Sequence, residues 1–371
     1  ANAVTAPDAV PECALSQTEG YAIQSRDLIG PAPWSFKLGG QAGAGEHLQT
    51  DIVHRKSAVR VAVGTCLKYP FDQVVPLERA QQKGPLVEVD DVSDLPNFVQ
   101  PRGDLFAADE IVVAPGKMLN SRDVALLAAA GHCEAPILRK LRVAILSVGE
   151  GLVGSDDPDA SGRSRDVNRP MLEARLGGKW IEVRDFGIVP EGPDALRLTL
   201  DMAAAWADVI LTTGGTSGGS ESRIAHALSV LNATTHVSGI AMQPGGSTRI
   251  GQIGAALFVA MPGSPVAVEI VMTTLVQAML ARRVGLPDGG PAFARGALGS
   301  ALEHGSDRTR FQLTRIGQDA QEREVLELLD ADATDVRALA IASGIARIAP
   351  SANGVSAGQE VLWFPFHDCQ D

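Results

Sequence analysis

The chain has 371 residues, enough for roughly two to four domains, with 45% hydrophobic and 20% charged residues, as in ordinary globular proteins. Aromatics are only 4%, so the core must rest on Ala, Val, Leu and Ile. A net charge of −12 argues against nucleic acid or an anionic membrane surface as the main partner, although a local anion site needs only a few N–H groups and arginines.

Residues 1–17 are Ala/Pro-rich and irregular, and no basic-then-apolar leader opens them. From Gly20 to about Glu88 the pattern is strand-like: Trp34–Leu38 and Ala58–Val63 alternate between Gly/Pro turns. Residues 81–101 read as a polar surface loop with a short strand at Leu86–Val89. A helix is predicted from Ser121, as N-cap, to Ala130, with Gly131 as the stop. The four cysteines, Cys13, Cys66, Cys133 and Cys369, form no CxxC pair and are expected as reduced structural thiols of a cytoplasmic protein. No apolar run reaches the ~20 residues needed to span a bilayer.

A different grammar begins near Leu141. Strand Arg142–Leu146 is followed by a Gly/Asp/Ser-rich loop (149–167) and a helix from Pro170 to Leu176. Then come strand Ile181–Phe186, helix Pro193–Trp206, strand Asp208–Thr212, a glycine-rich loop and helix 221–231. Strands near Thr248–Ile253 and Ala256–Met261 precede a long helix from about Pro265 to Arg283. Alternating β and α elements with apolar strands predict a mostly parallel sheet in a three-layer αβα domain, with ligands at the carboxyl ends of the strands. Residues 285–291 read as a linker, and 292–371 as a small β-domain with strands at Arg310–Arg315, Val325–Leu329, Ile345–Ile348 and Glu360–Phe366.

Three loops are therefore expected at one sheet edge. In the first, Ser147–Leu152, Gly149 permits close backbone approach, Ser147 is a hydroxyl donor, and Glu150 is an acid at the mouth or a plain solvated carboxylate. In the second, Thr213, Thr216 and Ser217 offer hydroxyls, and Gly214, Gly215, Gly218 and Gly219 offer N–H groups before a helix, which suits a phosphate. It has neither the Lys-Ser/Thr ending of a P-loop nor a GxGxxG fingerprint. The third, Pro262-Gly263-Ser264-Pro265, closes the site or simply starts a helix, with Ser264 as N-cap. Asp166, Asn168 and Arg169 add an acid, an amide and a cation; Asn168 alternatively caps the next helix. Histidine spacing argues against zinc, and His54 and His226 read as ordinary residues. Gly215–Gly219 fits a hydrolase GxSxG string, but too far from its strand for a nucleophile elbow.

In this order the loops resemble the molybdopterin molybdenumtransferase family, bacterial MoeA and the gephyrin E-domain, over nearly the whole chain. Glu19–Ala22 is similar to that family's DGYA turn, and Ala58–Glu78, with Gly64-Thr65 and Asp72–Val75, to its β-domain segment. Arg102–Asp104 is similar to an Arg-Gly-acid stretch, Ser147–Leu152 to S-T-G-D-E-L and Asp166–Arg169 to D-x-N-R. Thr213–Gly219 is similar to S/T-G-G-V-S-x-G, Ile240–Gly245 to A-x-K-P-G, and Pro262–Val266 to P-G-N-P-V.

The resemblance implies a helical connector (1–17 with 102–139), a β-domain (18–101), a molybdopterin-binding-like domain (140–287) and a C-terminal β-domain (288–371). It also implies a homodimer in which Glu19 and Arg102–Asp104 approach the partner's pocket. Molybdopterin or its AMP adduct is the implied ligand, an anionic pterin phosphate. Molybdate is the implied metal source and Mg²⁺ an implied cofactor, with Glu150, Asp104 and Asp166 as catalytic carboxylates and Glu150 as metal ligand.

The chain departs from the pattern where charge is needed. The acid after Glu150 is Gly151, an expected Asp is Ser222, and expected lysines are Ala225, Gln243 and Gly246. The Asn of P-G-N-P is Ser264. Each preorganised electrostatic group contributes on the order of 10²–10³ in rate. The alternative is therefore a pterin-binding carrier, chaperone or scaffold without transferase activity. Arg223 and Arg249 are candidate replacements for the missing lysines.

Overall fold

A computed structural model describes residues 2–48, 54–158, 161–178, 180–190, 192–216, 223–286, 290–303, 305–332 and 334–366. The chain divides into two compact units, Ala1–Ile137 and Leu138–Asp371.

The first unit is built on a six-stranded sheet in the order Gln73–Pro76, Gly20–Ile23, Ser57–Val61, Trp34–Ala42, Leu86–Val89, Ala80–Lys83. Both sheet faces are covered, which explains why Gly20–Ile23 is buried along its whole length. Tyr21 and Ile23 pack with Phe36, Val75, Val87 and Val89. Ala22, between them, points the other way, to Val59, Leu67, Phe71 and Val74. The polar run Ala80–Lys83, expected as loop, is an edge strand paired with Leu86–Val89; an edge position tolerates its Gln-Gln-Lys side chains. The first residues join a later segment: Val4–Thr5 pairs with Ile111–Val113, and Val10 bridges Phe106. Helix Ser121–Ala129 is capped by Asn120, not Ser121, in a reciprocal capping box with Asp123. The cysteine expectation is corrected too. Cys13 and Cys66 form a disulfide, because Ala14–Ser16 pairs antiparallel with Cys66–Leu67 and sets their Cα atoms 5.8 Å apart.

The second unit holds the expected three-layer domain. Its sheet runs Ile181–Val189, Leu141–Val148, Val209–Thr213, Ala256–Met261, Arg249–Ile253, Thr234–Ser238. The first four strands are mutually parallel, and Arg249–Ile253 is antiparallel to both its neighbours. Along Leu141–Val148 the side chains alternate between layers. Val143 and Ile145 meet Leu172 and Leu176 of helix Asn168–Leu176 and the long Pro265–Arg283 helix. Ala144 and Leu146 meet Leu196, Leu200 and Ala203 of helix Pro193–Trp206, and Ile224 and Leu228 of helix Arg223–Val230. Each fully buried Leu or Ile here contributes about 1.5–3 kcal/mol. Among the described residues Pro265–Arg283 is long and apolar enough to cross a membrane, yet 67% of its most apolar window is buried in the protein, as in a core helix.

The C-terminal strands form a second sheet in the order Met242–Gln243, Thr309–Gln318, Gly344–Ile348, Glu360–Pro365, Ala294–Ala297, with Glu324–Leu328 paired to Thr309–Gln318. Leu313, Ile345 and Phe364 of this sheet share one core with Val259, Val268 and Leu280 of the central domain. The expected small C-terminal β-domain is thus present, with its core continuous with that of the central domain.

Candidate functional site

Strand register brings the loops together. Ser147 lies opposite Thr213, and Thr213 opposite Met261, in successive parallel pairs. The chain thus leaves three adjacent strands at one edge, into the loops starting at Gly149, Gly214 and Pro262.

Short bonds lock that edge. The Ser147 and Thr213 hydroxyls share a 2.9 Å hydrogen bond, and the Gly214 N–H donates to the Met261 carbonyl at 3.1 Å. Ser147 is fully buried, so its hydroxyl serves to hold Thr213 rather than to meet a ligand directly. Gly214 adopts φ +84°, and a side chain there would run into the Val148 carbonyl. A Cβ on Gly263 would lie 3.4 Å from the Gly214 Cα, so the second and third loops touch through glycines. Gly149, Gly214 and Gly215 stay partly open and Gly263 is exposed; half-buried Ser264 sits at the N-cap position of the Pro265–Val271 helix. The Ser264 side chain makes no capping bond, contrary to expectation, which leaves its hydroxyl for a ligand. The result is a surface of glycine backbone and one hydroxyl beside a helix N-terminus, suited to an anion.

The D-x-N-R segment supports this surface from below. Leu152–Val153 pairs with Ser164–Arg165 and delivers Asp166 to the start of the Asn168–Leu176 helix. Asp166 Oδ1 accepts from the N–H groups of Asn168 (3.0 Å) and Arg169 (3.3 Å), so Asp166, not Asn168, caps that helix. Its Oδ2 accepts from Arg169 Nε at 2.6 Å, and Arg169 also pairs with Asp185. Burial disfavours the Arg169 cation, but its bonds to Asp185 and Asp166 outweigh that and raise its pKa. Asn168 Nδ2 donates to the Gly263 carbonyl at 2.8 Å. That carbonyl can only accept, which fixes the amide's orientation and leaves the buried Asn168 Oδ1 without a partner among the described residues.

A fourth segment joins from the other side. Thr216 Oγ1 and Ser247 Oγ lie 3.0 Å apart, linking the glycine loop to the Met242–Ser247 turn. Met242–Gln243 pairs in parallel with Thr309–Arg310 of the second sheet. This sets Arg308 beside Gly246: a Cβ on Gly246 would be 3.7 Å from Arg308 Nη1. Arg308 escaped the sequence reading because nothing in the linear order connects it to the glycine loop. Arg249, expected as a replacement cation, donates to Ser238 Oγ at 2.6 Å, and Arg223 opens the helix after the loop.

The acids are placed less centrally. Glu150 is exposed at the first loop. Asp104 is exposed in the other compact unit, where it accepts from Gln100, and Glu19 pairs with Arg60 at 3.1 Å. Ser217, Gly218, Gly219 and Ser222 lie outside the described residues. Both Asp166 oxygens are engaged by the Asn168 and Arg169 N–H groups and the Arg169 guanidinium, which leaves the exposed Glu150 carboxylate at the other arm of the same loop, and these two side chains do not by themselves fit a Mg²⁺ site.

Comparison with known proteins places the chain in a family. Residues 144–282 match the family model described as "Probable molybdopterin binding domain", and residues 1–131 match "MoeA N-terminal region (domain I and II)". A Mycobacterium tuberculosis protein named molybdopterin molybdenumtransferase 2 is 26% identical over 97% of this chain and 90% of its own length. A Nostoc molybdopterin molybdenumtransferase is 28% identical over 74% of this chain, which spans 64% of that relative's length. The crystal structure of a Pyrococcus molybdopterin biosynthesis MoeA protein superposes with a TM-score of 0.86 at 23% identity, covering 99% of this chain and 91% of that one. The two family models together cover residues 1–131 and 144–282, including the loops that build the site, and on that ground the chain belongs to the MoeA family.

Proposed function

We propose that this protein binds adenylylated molybdopterin and inserts molybdenum from molybdate, releasing the nucleotide. The observation that carries this reading is the joined edge at Ser147, Thr213 and Met261, where glycine backbone and the Ser264 hydroxyl face outward together. The ligand phosphate takes the Gly215 end of the turn and the Ser264 hydroxyl, while Asn168 holds the third loop in place through the Gly263 carbonyl. Arg308 supplies positive charge where the family pattern has lysines at Gln243 and Gly246. Molybdate, as substrate, is steered by that cation. Glu150 is the acid at the mouth, and a Mg²⁺ ion here would be held chiefly by the ligand's own phosphate oxygens, neutralising their charge.

The names of the relatives favour the enzyme over a carrier or scaffold. We further propose a cytoplasmic homodimer in which Glu19, Arg102 and Asp104 of a second copy complete the site. The test is turnover of molybdopterin-AMP with molybdate, read as AMP release and formation of the molybdenum cofactor. Release dependent on molybdate is expected. Pterin binding without release would leave a carrier, and neither binding nor release would overturn the reading.

A further inference from the structure

The Cys13–Cys66 disulfide has a neighbour that a simple cross-link does not need. The His47 imidazole and both sulfurs lie within 4.8 Å of one another. Backbone pairing, rather than the side chains alone, sets this arrangement. His47 and Cys66 face each other in a parallel bridge. Cys66 N–H donates to the Glu46 carbonyl at 2.9 Å, and Leu48 N–H to the Cys66 carbonyl at 3.1 Å. On its other side, Cys66 pairs with Leu15 in the strand that follows Cys13. Three separate segments are thus held in register at one point. Cys66 is buried, Cys13 half-buried and His47 exposed, so the cluster has a closed back and an open mouth.

We propose that Cys13, Cys66 and His47 form a zinc site in the reduced protein, and that the disulfide is the oxidised, metal-free form of the same site. Two thiolates and an imidazole are zinc's preferred ligand types, and solvent fills the fourth position through the open mouth. With Zn–S about 2.3 Å and Zn–N about 2.0 Å, a tetrahedral site holds its ligand atoms roughly 3.3–3.8 Å apart. The imidazole is already within reach, and the sulfurs need only separate once their bond is broken.

The exchange balances. A dithiol delivers two electrons and two protons to the Cys13–Cys66 bond, becoming a disulfide itself and leaving two thiols. Zinc binding then displaces both thiol protons to solvent. In the reverse step a disulfide-class oxidant takes two electrons from the two thiolates and two protons from solvent, becoming a dithiol, while the Cys13–Cys66 bond re-forms and the zinc ion is released. The site depends neither on the molybdopterin reading nor on any residue of the second unit.

The experiment uses the full chain with Cys133→Ser and Cys369→Ser to silence other thiols, reduced with a dithiol and desalted without oxygen. Cobalt(II) is the probe. One equivalent should bind with a thiolate-to-cobalt charge-transfer band, and zinc should bleach it. The oxidised protein and a Cys13→Ser variant should show no band. His47→Gln, at an exposed position that should not disturb folding, should weaken cobalt binding about tenfold or more and alter the ligand-field spectrum. The proposal fails if the reduced protein takes up no more cobalt than Cys13→Ser, or if His47→Gln leaves affinity and spectrum unchanged.

Discussion

Asn168 Nδ2 and the Gly263 carbonyl, 95 positions apart in sequence, meet at 2.8 Å and tie the D-x-N-R helix to the third loop. The bond fixes the loop whose glycine touches Gly214, so one side chain sets the spacing of two loops. Asn168→Ala should weaken pterin binding about tenfold and cost about 1 kcal/mol of stability, the typical net value of one such hydrogen bond. Asn168→Asp should be worse on both counts, because it sets a carboxylate against a carbonyl oxygen. Urea unfolding and pterin fluorescence titration check the pair; equal binding by wild type and Asn168→Ala would remove Asn168 from the site.

Gly214 tests whether the edge itself matters. With φ +84° and the Val148 carbonyl in the path of a Cβ, Gly214→Ala should destabilise by about 2 kcal/mol or more and abolish ligand binding. Gly151→Ala, two residues beyond Gly149 with nothing within 4 Å of its Cβ, should be neutral in thermal unfolding. Similar losses for both would mean that the Gly214 turn is not specially constrained.

Much of this site was legible in the sequence because its geometry is written in backbone-determining residues. Glycines and prolines at strand ends declare where the chain turns, and apolar strands between helices declare a parallel sheet. What was not legible depends on contacts through space. Ser147 was expected to face a ligand, but its register opposite Thr213 buries it. Thr234–Ser238 carries an exposed polar pattern, which an edge strand tolerates and a periodicity argument passes over. The C-terminal sheet was legible as a small β-domain, but not the core it shares with the central domain through Leu313 and Phe364. Arg308 enters only because Met242–Gln243 pairs with Thr309–Arg310.

Arg308 leads to a charge-rescue prediction. If Arg308 carries the charge that lysines supply in the family pattern, Arg308→Ala should weaken molybdate binding about threefold to tenfold. A unit-charge contact at about 4 Å in a water-rich environment contributes about 1 kcal/mol. Gln243→Lys should strengthen binding by a similar factor and should rescue Arg308→Ala. The gain should shrink at high salt, as exposed charges are screened. Isothermal titration with molybdate at two salt concentrations reads all three variants, and no rescue would dissociate Arg308 from the lost lysines.

Acid sensitivity should trace in part to the start of the central sheet. Arg139 binds Asp208 through two 2.7 Å hydrogen bonds, and the Arg142 N–H donates to the same carboxylate at 2.9 Å. The Arg139 bond is the main cause that holds the Asp208 pKa below its ordinary 3.8; burial opposes it, and the Arg142 N–H adds to it. A carboxylate with a depressed folded pKa stabilises the fold when ionised. That contribution is complete above the unfolded value, near pH 4, and disappears as pH falls through the lower folded value. Asp208→Asn should therefore lower stability at neutral pH and flatten its decline below pH 4. Because Asp208 also accepts the Leu257 N–H through its backbone carbonyl at 3.0 Å, the strand start survives the substitution and the comparison stays between folded proteins. Urea midpoints measured from pH 7 to pH 3 decide it: parallel curves for the two proteins would place the acid-labile group elsewhere.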